Sequence, residues 1–209
     1  MQSTPSPAGP AWTASKLIAV QDVGVLVLPG WQGSGAGHWQ SRWEALHGYL
    51  RVEQHDWQRP LRGDWIARLE DVLLQARRPV VLAAHRLGCQ LVAAWAAHSR
   101  NTHLVRAALL VAPGDPQREE LRGVLASWSP PTLGRLPFPG TLVASRNDPY
   151  CSFARASQFA DAWGCALVDY GHCGHINADS ALGDWPQGHA LLLELQRATE
   201  PVGNAAPAV

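Results

Sequence analysis

Six short apolar runs recur along this chain, with helix-length amphipathic segments between them. No other feature constrains the fold as tightly. The runs are VGVLVLPG (23–30), LRVEQHDW (50–57), PVVLAAH (79–85), RAALLVAP (106–113), TLVASRND (141–148) and ALVDYG (166–171). Four are nearly continuous in Val, Leu and Ala, the pattern of strands buried on both faces of a parallel sheet. Between them, DWIARLEDVLLQAR (64–77) sets Trp65, Ile66, Leu69, Val72 and Leu73 on one stripe, with charges opposite. GHWQSRWEALHG (37–48) groups Trp39, Trp43 and Leu46 and stops at Gly48. LGCQLVAAWAAH follows the third run, FARASQFADAWG ends at Gly164, and PQGHALLLELQRA closes the pattern.

Strand–helix alternation of this kind predicts an α/β fold. The expected form is one doubly wound, mostly parallel sheet of five to six strands with helices on both faces. A chain of 209 residues suits one such domain. We expect it to span 21–198, between a Pro/Ser/Ala-rich tail over 1–20 and a polar tail over 199–209. The first tail has neither the basic start nor the apolar centre of a signal peptide. No apolar run reaches the ~18 residues of a membrane span. The cytoplasm is the expected compartment, with no membrane partner. Seventeen basic and seventeen acidic residues balance to zero net charge. No basic stripe interleaves with aromatics, so no nucleic-acid partner is expected. The four cysteines form no C-x-x-C pair. HCGH (172–175) lacks the second cluster that a closed zinc site needs, so we expect neither metal nor cofactor. The ten tryptophans read mainly as core, with some walling a pocket. Oligomeric state is not legible.

In doubly wound sheets, ligands bind beyond the carboxyl ends of the strands. That rule selects the loops 29–38, 84–88, 113–139, 146–153 and 171–180. The loop after the first run, PGWQGSG, is glycine-rich and offers backbone N–H groups to an anion, although its spacing is not a dinucleotide fingerprint. The third run turns into its helix through Ala84-His85-Arg86-Leu87-Gly88. This has the shape of the G-x-S-x-G nucleophile elbow, in which one side chain stands above the sheet and the next backbone N–H points to the same spot. Arg86 occupies the serine position. Asp148 follows the fifth run, and His175 lies in a Gly-flanked loop after the sixth. The order elbow, Asp, His is that of α/β-hydrolase triads. The Pro-rich 113–139 loop is either a minimal lid or a surface crossover.

The stretches LPGWQGSGAGHWQSRWE, AAHRLGC, LPFPGTLVASRNDPYCSF and GHINADSALGDWP resemble the YdeN-type serine hydrolases, relatives of retinoblastoma-binding protein nine. The resemblance runs from about Val23 to about Leu195. It implies a small, nearly lidless α/β-hydrolase acting on small esters or amides. By position it implies Asp148 as triad acid, His175 as base, and the backbone N–H groups of Trp31 and Leu87 as the oxyanion hole. Gly30, His85 and Trp128 are expected to contact a small-molecule substrate. The departure is Arg86 at the nucleophile position.

Arginine cannot replace the serine, because its pKa is too high to yield a neutral nucleophile near pH 7. The elbow conformation costs a non-glycine residue about 1–3 kcal/mol, and a chain no longer selected for a nucleophile is free to relax it. Cys89, Ser34, Ser145 and Ser152 do not stand out as substitutes. Three readings follow. The chain is a hydrolase with severely impaired chemistry. Or it is a non-hydrolytic enzyme that binds an anionic substrate through Arg86 and uses His175 as general base. Or it is a non-catalytic protein that binds a small molecule or anion.

Overall fold

The structure is a computed structural model that describes residues 24–200. The expected tail over 1–20 lies outside the described residues, as does the C-terminal tail from 201 on. Six strands form one sheet: β1 (Val25–Leu28), β2 (Leu50–Arg51), β3 (Val80–Arg86), β4 (Val105–Pro113), β5 (Gly140–Ala144) and β6 (Ala166–Asp169). Their order is β2-β1-β3-β4-β5-β6, and every pairing is parallel. Five helices connect or close them: α1 (Trp39–His47), α2 (Arg62–Leu73), α3 (Leu87–His98), α4 (Phe153–Trp163) and α5 (Pro186–Ala198).

The two-residue period of the strands divides the core. Leu26, Leu28, Leu82 and Ala84 point to the face covered by α2, α3 and α4. Val25, Val27, Val81 and Ala83 point to the face covered by α1 and α5. This is why the central strands read as unbroken apolar runs. Among the described residues, Trp39, Trp43, Trp65, Trp95, Trp128, Trp163 and Trp185 are fully buried. Gly48 and Gly164 both adopt the left-handed conformation that ends α1 and α4, as the sequence pattern predicts.

Two expected elements differ. The run over 50–57 yields a strand of only two residues on the sheet edge. Asp56 then accepts the backbone N–H groups of Gln58 and Arg59, folding the chain into a turn. The second helix starts earlier than expected and ends at Leu73 rather than near residue 77. Residues 113–139 form an ordered crossover with two 3₁₀ turns, Glu119–Leu121 and Ala126–Trp128.

A candidate active site at the carboxyl ends of the strands

Because all six strands run parallel, the residues that follow β1, β3, β5 and β6 gather at one end of the sheet. β3 turns into α3 at Arg86, whose backbone sits at φ 53°, ψ −116°. This is a sparsely populated region for any side chain. The turn has not relaxed despite the arginine. Its tightness depends on Gly88, where a Cβ would collide with the Leu28 carbonyl oxygen of β1. The backbone N–H of Leu87, at the start of α3, and that of Trp31, in the loop after β1, meet no acceptor among the described residues. Gly30 lies directly against residue 86, since a Cβ there would stand 2.7 Å from the Arg86 Cβ.

Asp148 and His175 meet across the ends of β5 and β6. His175 Nδ1 lies 2.8 Å from Asp148 Oδ2 and 3.0 Å from Oδ1. Both side chains are buried, at 4% and 3% exposure. Nδ1–H therefore donates to the carboxylate, which leaves Nε2 as the free ring nitrogen. That atom is buried and has no partner among the described residues. The loops are fixed by a polar network. Asn147 Oδ1 accepts the Gly174 N–H at 2.8 Å, and Ser145 Oγ accepts the Cys173 N–H at 3.0 Å. Arg86 does not pair with Asp148. Its guanidinium lies over the Tyr150 ring at 4.5 Å and the Trp31 ring at 5.4 Å.

The remaining expected contacts are placed as follows. His85 is buried on the far side of His175 and holds that residue's carbonyl oxygen at 2.9 Å. It supports the His175 backbone rather than offering a surface to a ligand. Trp128 does not line the site. Its indole is 1% exposed, packs edge-on against Trp65 and donates to the Pro60 carbonyl. It anchors the 113–139 crossover in the core, where the residue's size and apolarity serve best. Cys89 is buried with its Sγ near the Ala84 and Val111 carbonyls, and burial pushes its thiol pKa up. Ser34, Ser145 and Ser152 are each committed to structural hydrogen bonds.

Two contributors were not singled out in the sequence. Tyr150, two residues past Asp148, touches both the Arg86 guanidinium and the His175 ring. His38 caps α1 by accepting the Gln40 N–H, and its ring stacks edge-on against His85 at 4.6 Å. Nothing in the spacing linked it to His85.

This histidine stack makes a prediction. Burial, then the charges of His175 and Arg51, lowers the His38 pKa to about 3. Burial also lowers that of His85 well below its ordinary value. Both rings stay neutral in the folded chain while the unfolded chain takes up protons below pH 6.5. Folding stability is thus full above that pH and falls as pH drops below 6.5, for His38 until about pH 3. Urea unfolding at pH 7, 6, 5 and 4 should show this slope. His38→Asn, which keeps a capping side chain without a titrating ring, should make it shallower. A flat profile would contradict the burial of these neutral rings.

The six-stranded parallel sheet with helices on both faces matches the α/β-hydrolase fold of structural relatives. The sequence profile of the serine hydrolase family matches residues 25–194, and the chain belongs to that family. A YdeN-like hydrolase of Pectobacterium atrosepticum is 30% identical over 90% of this chain and 96% of its own, with a TM-score of 0.76. The YdeN protein of B. subtilis is 19% identical over 83% of this chain and 98% of its own, with a TM-score of 0.65. Esterase 2 of Thermogutta terrifontis shares the fold at 18% identity and a TM-score of 0.61, over 96% of this chain and 89% of its own. A search of curated proteins finds no match. No described helix is long and apolar enough to cross a membrane.

Proposed function

We propose that this protein is a serine hydrolase family member of the small esterase and amidase type whose hydrolytic chemistry is severely impaired by Arg86. The β3–α3 turn is a nucleophile elbow, Asp148 and His175 are the acid and base of a triad, and the Trp31 and Leu87 amides form the oxyanion hole. One observation carries the reading. The turn keeps its strained geometry beside an intact Asp148–His175 pair whose Nε2 has no partner. In a working triad that nitrogen takes the proton of the attacking hydroxyl, and Asp holds the imidazole in the required tautomer. Removing the serine from such a triad costs about a millionfold in kcat. The substrate class is small esters or amides, supported by the esterase among the structural relatives. Free cysteines fit a cytoplasmic setting.

A second reading is favoured by the arginine itself. A cation set over two aromatic rings and lacking a carboxylate partner suits a protein that binds an anion, with or without His175 acting as a base. The first reading predicts that the unaltered chain hydrolyses p-nitrophenyl acetate no faster than its His175→Ala variant. Initial rates on matched, folded samples decide this. Hydrolysis by the unaltered chain well above that variant would show that arginine takes part in catalysis, and would overturn the impaired-hydrolase reading.

A further inference from the structure

The guanidinium above the sheet is held in place without a counter-ion. No described carboxylate lies within ion-pair distance of Arg86, and none of its N–H groups has an acceptor among the described residues. Burial pulls its pKa down, against the opposing pull of Tyr150 and Asp148. A partly desolvated cation of this kind is costly unless an anion joins it. The surroundings accommodate the arginine stem. A Cβ on Gly114 would stand 3.3 Å from the Arg86 Cγ, and one on Gly30 would meet its Cβ. Further unpaired groups lie at the same turn. The Leu87 N–H follows Arg86 directly, and Trp31, whose N–H is also free, has its ring against the guanidinium. His175, 4% exposed with Nε2 unpartnered, shares the Tyr150 ring with Arg86.

We propose that this cluster of groups binds a small organic monocarboxylate, held by the Arg86 guanidinium and the backbone N–H groups of Trp31 and Leu87. The proposal rests on the same assignment of those two amides and goes beyond it by giving the arginine a task. A guanidinium fork matches a planar carboxylate in two parallel hydrogen bonds. Charge favours one carboxylate over a phosphate dianion, because Arg86 offers a single positive charge and the nearby Asp148 carboxylate repels a dianion about twice as strongly as a monoanion. The Trp31 and Tyr150 rings offer flat apolar faces to a planar substituent. His175 Nε2, unpartnered while Nδ1 bonds Asp148, can accept from a hydroxyl on the ligand.

Isothermal titration of the full chain with benzoate, benzamide and inorganic phosphate tests this. Benzoate and benzamide share shape and differ in charge. Benzoate should bind at least ~10-fold tighter than either competitor, as one charge-assisted hydrogen-bonded pair is worth about that much. Arg86→Gln should weaken benzoate binding by at least ~10-fold, and Arg86→Lys should weaken it less. Equal binding of benzoate and benzamide, tighter binding of phosphate, or unchanged binding by folded Arg86→Gln would overturn the proposal. If Arg86→Gln fails to fold, the ligand comparison on the unaltered chain still decides. Absence of benzoate binding would leave the impaired-hydrolase reading standing. An inactive Arg86→Ser variant would sink that reading, while the benzoate, benzamide and phosphate comparison decides this one.

Discussion

Arg86→Ser should hydrolyse p-nitrophenyl acetate at least ~1,000-fold faster than the unaltered chain, a conservative share of the millionfold that a triad loses with its serine. The expectation follows from what already surrounds residue 86. The backbone is held at φ 53°, ψ −116°, so a serine there would stand above the strand ends without any rearrangement of the turn. Gly30 and Gly88 already leave the space that the turn requires. His175 Nε2 is unpartnered, and its Nδ1 is engaged by Asp148. Removing the guanidinium also empties the space beside the Trp31 and Tyr150 rings for an acyl group. A site long used only for binding predicts otherwise, since further defects would leave one substitution insufficient. Steady-state rates on a variant shown to be folded by circular dichroism separate the two.

In the Arg86→Ser background, Asp148→Asn should lower kcat toward that of the unaltered chain, by up to about 10⁴-fold, with little change in KM. An asparagine of the same shape preserves the packing but can donate to His175 Nδ1. That turns the imidazole so that Nε2 carries the proton and cannot take one from serine. Asp148 is 3% exposed and accepts the Tyr150 N–H as well as the His175 bond, so no water can readily take over its part. A drop of less than about tenfold would mean that His175 is oriented by other groups, His85 foremost, and that the acid has no catalytic part.

The fold was legible because burial on both sheet faces writes itself as unbroken Val/Leu/Ala runs, and because Gly48 and Gly164 mark helix ends by a conformation other residues avoid. The second strand was overextended because Leu50, Val52 and Trp57 were read as one run across the polar stretch 53–56, while the Asp56 turn that ends it depends on side-chain hydrogen bonds that hydropathy does not show. The positions of Asp148 and His175 followed from chain order and the rule that ligands gather at strand ends. Trp128 was misplaced because residue type alone does not tell a pocket wall from a core anchor. Its bond to the Pro60 carbonyl spans 68 residues. Tyr150 was passed over for the opposite reason: a tyrosine next to a turn proline looks structural until the ring is seen touching both Arg86 and His175.

The central claim is that residue 86 is a nucleophile position held ready in a family member that lacks the nucleophile. Mass-spectrometric peptide mapping after treatment with a fluorophosphonate tests it most directly, because the probe bonds only to an activated nucleophile. The account predicts an adduct on residue 86 of Arg86→Ser, lost when His175→Ala is added, and no adduct on the unaltered chain. A folded Arg86→Ser protein that stays unlabelled, or one labelled elsewhere, would contradict it.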